Sequence, residues 1–379
     1  MVIPADWKEV ALCKVADIGP GINKALSEMG SGSLYVTVED IYHGSFLDPE
    51  RLGRIRISKS EVERFSLQIG DLVLGKSSVK RDGIGYPNLF LGCAEPVVPS
   101  GFTYRVRPDR SLISSKFLLQ YLRSRPGRKW IIDNSQSSAL TNINSSIVNR
   151  YPVLLPPLKE QEAIADALSD ADVAIESLDA LVAKKRDVKQ ATMQQLLTGR
   201  TRLPGFTADW KEVRLGECLT IMHGKNQSQI VDPEGKYPIL ATGGVIGRTN
   251  SYLSNKPSVL IGRKGTIDRP QYMDTPFWTV DTLFYSEVKN GNSAKFLFYK
   301  FLMVDWKKYN EASGVPSLNA STIENVEMKM PPLKEQEAIA EALTVMDDEL
   351  EALTEQVSKL RMVKEGMMQD LLTGKVRLV

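Results

Sequence analysis

The chain has 379 residues, 42% of them hydrophobic and 25% charged, with a formal net charge of +2. That length suits two or three domains, and the composition excludes a disordered or fibrous chain. No apolar run approaches the roughly 20 residues of a membrane helix. Three dispersed cysteines (Cys13, Cys93, Cys218) and two histidines (His43, His223) argue against a disulfide framework, a CxxC metal site and a His-rich metal site. With no basic-then-apolar pattern in "MVIPADWKEV", a cytoplasmic location is expected.

Residues 1–155 read as a mixed α/β domain. Short β-type runs ("SLYVTVEDI", "DLVLG", "YPVLL") are broken by glycine, and "SSKFLLQYLRSR" reads as helix. Between them, "GKSSVKRDGIGYP" is glycine-bent and basic. It carries Lys76, Ser77, Lys80 and Arg81, residue types suited to phosphate and base-edge contact. The domain holds further cations at Arg51, Arg54, Arg56, Arg105, Arg107, Arg110, Arg123, Arg125, Arg128 and Lys129, and a net charge of +5. The plainer reading of such charge is a solvated mixed surface. "GDLVLGKS" also fits the P-loop expression GxxxxGK[ST]. Its variable positions read as strand, however, and no helix pattern follows, so nucleotide binding is rejected.

Residues 156–200 and 331–379 read as long helices. Pro156–Leu203 matches Pro331–Leu378 without a gap, and "PPLKEQEAIA" stands verbatim in both. Ile164, Leu168, Ile175, Leu178 and Val182 share a heptad register with Ile339, Leu343, Leu350, Leu353 and Val357. This spacing predicts two coiled-coil helices packed on each other. Lys364 interrupts the stripe in the second copy, and Lys185, Lys189 and Thr192 dilute the later part of the first. Paired prolines suit the helix starts, and Gly199 and Gly374 suit the stops. About 40 residues span about 60 Å. An antiparallel pair is expected, because the short connection "TGRTRLPGF" feeds the next domain at the helix end. The C-terminal "TGKVRLV" should then lie near the N-terminal "PADWKEV".

Residues 201–330 read as a second α/β domain, opened by another "ADWKEV". Its β-type runs are "YPILATGGVIG", "SVLIGRKGTI" and "FWTVDTLFYSEV", followed by helix in "SAKFLFYKFLMVDWKKY". Arg248 and the basic loop residues Arg263, Lys264 and Thr266 are its candidate DNA contacts. The two "ADWKEV" copies stand 203 residues apart and the helix copies 175, so the first domain is 28 residues longer than the second. The two are expected to share a fold but not a reading surface. Asp281 with Glu287-Val288-Lys289 only faintly matches a nuclease carboxylate set. No dinucleotide fingerprint, zinc spacing, hydrolase elbow or "NPPF"-type methyltransferase motif is present. No catalytic residue, metal or cofactor is expected.

"LPPLKEQEAIA…LLTGRTRLPGFTADWKEVRLGE" and "MPPLKEQEAIA…LLTGKVRL" resemble the central and distal conserved regions of the specificity (S) subunit of Type I restriction-modification systems. "GGVIGRTNSYL", "VLIGRKGTI", "PFWTVDTLF" and "SGVPSLN" resemble that family's target recognition domain, and "GDLVLGKSS" with "LTNINSSIVNRYPVLLPPL" resembles it more loosely. The resemblance implies two target recognition domains (1–155 and 201–330) with twisted sheets, separated by antiparallel helices in a pseudo-twofold internal repeat. Each domain is then expected to read half of a split double-stranded DNA site. Methyltransferase (M) subunits, two of them, would dock on the chain, restriction (R) subunits would join through them, and catalysis would belong to those partners. The alternative is a stand-alone DNA-binding regulator or architectural protein with a coiled-coil spacer.

Overall fold

The computed structural model describes residues 4–137 and 140–378. Two compact units emerge: residues up to Leu181 together with those from Leu353 onward, and Val182–Ala352. Each unit therefore holds one globular domain, one end of the first long helix and the opposite end of the second.

In the first unit a four-stranded antiparallel sheet runs in the order Ala16–Pro20, Thr103–Pro108, Leu72–Gly75, Pro87–Leu89. Leu72–Gly75 is buried along its whole length, as its unbroken apolar run requires of a central strand. The P-loop look-alike is thus a core strand followed by a 3-10 turn at Arg81–Gly83. The helix Ser115–Arg123, capped by Ser114, places Phe117, Leu118, Leu119 and Leu122 in the same core. A three-stranded sheet orders Gly53–Ile55, Met29–Val36 and Val97–Pro99, and Lys8–Ala11 pairs antiparallel with Pro152–Leu155.

The second unit repeats this plan. Its four-stranded sheet runs Leu219–Met222, Leu283–Val288, Ser258–Gly262, Gln271–Met273. Its three-stranded sheet runs Gly244–Thr249, Tyr237–Ala241, Trp278–Thr279, and Lys211–Arg214 pairs with Glu327–Met330. The helix Ala294–Met303 takes the place of Ser115–Arg123. The first domain adds a small sheet of Gln136–Ser137, Thr141–Asn142 and Ser77–Ser78.

The long helices are Leu158–Leu197 and Leu333–Leu371. Gly199 (φ 71°) and Gly374 (φ 72°) end them in the left-handed region, where a Cβ would be strained. Ion pairs give their direction. In the first unit Asp172 pairs with Lys364 and Asp179 with Arg361; in the second Lys185 pairs with Glu349 and Lys189 with Asp347. As numbers rise on one helix they fall on the other, so the helices are antiparallel in each unit. Ile175, Val182 and Val357 are buried, and Leu178, Leu350 and Leu353 are half-buried. Ile164 and Leu168 lie in the core of the first domain with Met368 and Leu371 of the other helix and Leu372 just beyond its end. Ile339 and Leu343 lie likewise in the second, with Met193, Leu196 and Leu197. The ends of the predicted stripe thus belong to the domain cores as well as to the helix seam.

The verbatim decapeptide is a socket built twice. Glu160 is buried, accepts from the Trp7 indole (3.1 Å) and pairs with Arg377; Glu335 accepts from Trp210 (3.2 Å) and pairs with Arg202. Gln161 accepts from Ser114 N (2.8 Å) and donates to Pro156 O (2.9 Å), while Gln336 accepts from Ser293 N (2.9 Å) and donates to Pro331 O (2.9 Å). Buried charge and amide groups tolerate no approximate partner, so the residues that satisfy them recur exactly where the geometry recurs. Arg377 also pairs with Asp6 at 2.7 Å, which brings the C-terminal segment to the N-terminal one as expected, with Val379 outside the described residues.

Candidate nucleic-acid interface

Lys76 directly follows the central strand of the first domain, and Arg263 directly follows that of the second. Their backbones are held alike. Lys76 N donates to Phe102 O (2.8 Å) and Lys76 O accepts from Ile143 N (3.1 Å). Arg263 N donates to Thr282 O (2.8 Å) and Arg263 O accepts from Leu318 N (2.9 Å). In each case the clamping segment runs into a short helix capped by asparagine, Asn144 or Asn319. One frame therefore presents two different loops at equivalent positions.

The residues expected at these loops fall into distinct settings. Lys80 and Arg81 are exposed, and among the described residues no carboxylate pairs with either. The Lys76 ammonium lies 5.7 Å from the Tyr104 ring centroid, and Ser77 Oγ donates to Asn142 Oδ1 at 2.7 Å. Both residues are half-buried at the loop root. Lys264 is exposed and bridges to Ser317, while Arg263 is half-buried and donates to Asp281 O at 3.3 Å. Thr266 is half-buried at the turn, its carbonyl so close to Gly262 that a Cβ there would stand 2.1 Å away. Arg248 sits apart, on the Tyr237–Ala241/Gly244–Thr249 hairpin. It donates to Gly235 O (2.6 Å) and Lys236 O (2.8 Å), so its guanidinium closes a neighbouring loop.

Much of the remaining positive charge of the first domain is structural. Arg54 pairs with Glu95 (2.7 Å), Arg105 with Asp17 (2.6 Å) and Arg107 with the buried Asp71 (2.7 Å). Arg123 and Arg128 lie over the Tyr86 ring, at 5.3 and 5.4 Å from its centroid, and burial pulls both guanidinium groups down from the ordinary arginine value. Charge counting along the chain does not reveal these roles, because the partners are far away in sequence. Among the described residues no group of His, Cys, Asp and Glu is arranged to hold a metal ion, and no helix is long and apolar enough to cross a membrane.

The model of the Type I restriction modification DNA specificity domain matches residues 4–182 and again 207–359. A putative type I restriction enzyme MjaX specificity subunit from Methanocaldococcus jannaschii is 24% identical, over 99% of this chain and 95% of its own. The type I restriction enzyme MjaVIII specificity subunit of the same organism is 22% identical over 78% of each chain. Among solved structures, the S subunit of the Type-I restriction-modification system from M. genitalium superposes with a TM-score of 0.68 at 17% identity, covering 97% of this chain and 96% of that one. A chain from a structural study of complex assembly and conformational transition of the type I R-M system gives a TM-score of 0.57 at 16% identity, covering 99% and 100%.

Proposed function

The chain belongs to the Type I restriction modification DNA specificity domain family, and on that premise we propose that it is the DNA-specificity subunit of a Type I restriction-modification complex. Residues 1–155 and 201–330 are its two target recognition domains, each reading one half of an asymmetric split site. The segments 156–200 and 331–379 are the paired helices that set the spacing. The observation that carries this reading is the doubled frame: equivalent strand ends and asparagine-capped clamps present "KSSVKR" in one domain and "RKGT" in the other. A shared frame with unlike loops suits a target whose halves differ.

The chain's part is recognition; methylation and cleavage fall to partners. Two M subunits are supported by a surface that exists twice. Lys159 and Glu162, and their counterparts Lys334 and Glu337, repeat verbatim yet are exposed, unlike the buried socket residues beside them. R subunits join through the M-containing complex. The test is to co-express the chain with its methyltransferase partner and map the modified bases across the host genome. A split, asymmetric sequence is expected. A palindromic target, or modification without sequence preference, contradicts the reading.

A further inference from the structure

A cavity of about 930 Å³ opens beside the basic loop of the first domain, lined by Tyr42, Ser78, Val79, Lys80, Phe102 and Leu140 among others. Its apolar walls face solvent: Val79 is 85% exposed, Phe102 63%, Leu140 43% and Tyr42 42%. Clustered apolar exposure of this kind marks a binding surface rather than random surface composition. Here the Tyr42 side of the wall is also held in place. The Tyr42 hydroxyl donates to Gly83 O at 2.8 Å, and Arg128 donates to Asp82 O at 2.9 Å and to Ile84 O. Tyr42 packs on Tyr86 at 5.6 Å between centroids, and Arg123 and Arg128 cover Tyr86. The cavity therefore exists before any ligand arrives, which lowers the ordering cost of binding.

Charge selects the occupant. Lys80 lines the cavity, and Lys76 and Arg81 flank it in the same loop, which suits an anionic backbone outside. Glu39 and Asp82 also line it, and their carboxylates disfavour a phosphate inside. A ligand that is anionic outside, with an apolar group and an N–H donor directed inward, fits both facts. In the major groove of DNA an A·T pair presents this combination, the thymine 5-methyl beside the adenine N6 amino group. We infer that this cavity reads an A·T pair in the first domain's half-site, its apolar walls taking the thymine methyl and Glu39 or Asp82 the adenine amino group. This rests on the DNA-specificity reading above. In the second domain Thr282 occupies the position equivalent to Phe102, so the Phe102 part of the apolar wall is not repeated there.

The experiment uses the complex with its methyltransferase partner. Each thymine of the mapped target is replaced in turn by deoxyuridine, which removes only the methyl group, and methylation rate and affinity are measured. One position should lose about four-fold, the size of one buried methyl contact. In the Phe102→Ala complex, whose substitution touches an exposed side chain, that difference should vanish at the same position. Lys80→Ala should weaken thymine and deoxyuridine targets alike. A sequence-specific complex indifferent to every deoxyuridine, or a difference unchanged in both Phe102→Ala and Val79→Ala, overturns the cavity assignment and leaves the specificity reading standing. A wild-type complex with no sequence preference overturns both.

Discussion

Single residues divide here into those that hold a loop and those that the loop offers. Arg263 and Lys264 are adjacent, yet one leans on a backbone carbonyl while the other stands in solvent. In the assembled complex, Lys264→Ala is expected to weaken binding to all sequences alike and to reduce the salt slope by about one. Arg263→Ala is expected to loosen the loop that Arg263 holds and so to relax readout of the second half-site, lowering the preference for the mapped target over its single-base variants. Filter binding on the mapped target and its single-base variants separates the two. Normal rates and affinity for both variants would remove this loop from the interface. The sequence shows that both residues are basic and next to glycine. It does not show which one is anchored, because the anchor is Asp281, on a different strand connection.

At the scale of elements, the polar interruptions of the helical stripe turn out to organise it. Lys364 pairs with Asp172, which also accepts from Gln120 at 2.8 Å on the first domain's helix. Lys189 pairs with Asp347, which also accepts from the Tyr299 hydroxyl at 2.7 Å on the second domain's helix. Each aspartate therefore joins its own helix, the opposite helix and the seated domain. The Lys364 and Asp172 side chains are only 14% and 16% exposed, so removing one partner strands a charge. Asp172→Ala should destabilise the protein by about 3 kcal/mol or more. Replacing Asp172, Lys364 and Gln120 together with leucine should recover most of that loss, because the penalty comes from unpaired burial rather than from the pair's own strength. Denaturant unfolding of the two variants decides. Equal loss in both would mean that the node itself supplies the stability. The repeat held a trace of this: Lys189 and Lys364, like Asp172 and Asp347, occupy the same places in the two copies. Heptad counting marks such residues as faults, because it sees one helix at a time.

For the whole molecule, the function proposed for the helix pair makes a ruler test possible. Seven residues inserted after Ala180 and seven more after Glu355 keep the heptad phase. They also leave the Asp172–Lys364 and Lys189–Asp347 nodes on their own sides. Each insertion lengthens a helix by about 10 Å, equivalent to about three base pairs at roughly 3.4 Å each. It also turns one half-site by about 100°, given about 10.5 base pairs per turn. The expected outcome is a longer spacer between unchanged half-sites, or loss of modification. Full activity at the original spacing would show that the helices are not the ruler. The modest net charge of +2 predicts weak binding by the chain without its partner, since counterion release supplies much DNA affinity. Tight sequence-specific binding by the isolated chain in moderate salt would contradict this.

By itself the sequence determined the repeat, the long helices with their glycine stops and the paired α/β domains, because each is written in local periodicity or in verbatim segments; the family followed from the resemblance of its motifs to those of known specificity subunits. The antiparallel direction followed from chain length and connection alone. Only the tertiary structure decided why "PPLKEQEAIA" recurs, since Glu160 meets Trp7 and Arg377 across 153 and 217 positions. It also decided which cations remain available to a ligand. Arg105 is taken by Asp17 and Arg54 by Glu95, 88 and 41 residues away, and no local pattern records those partners. The cavity shows the same limit most plainly. Tyr42, Val79, Phe102 and Leu140 come from four separate segments, and their common surface exists only once the sheets bring those segments together.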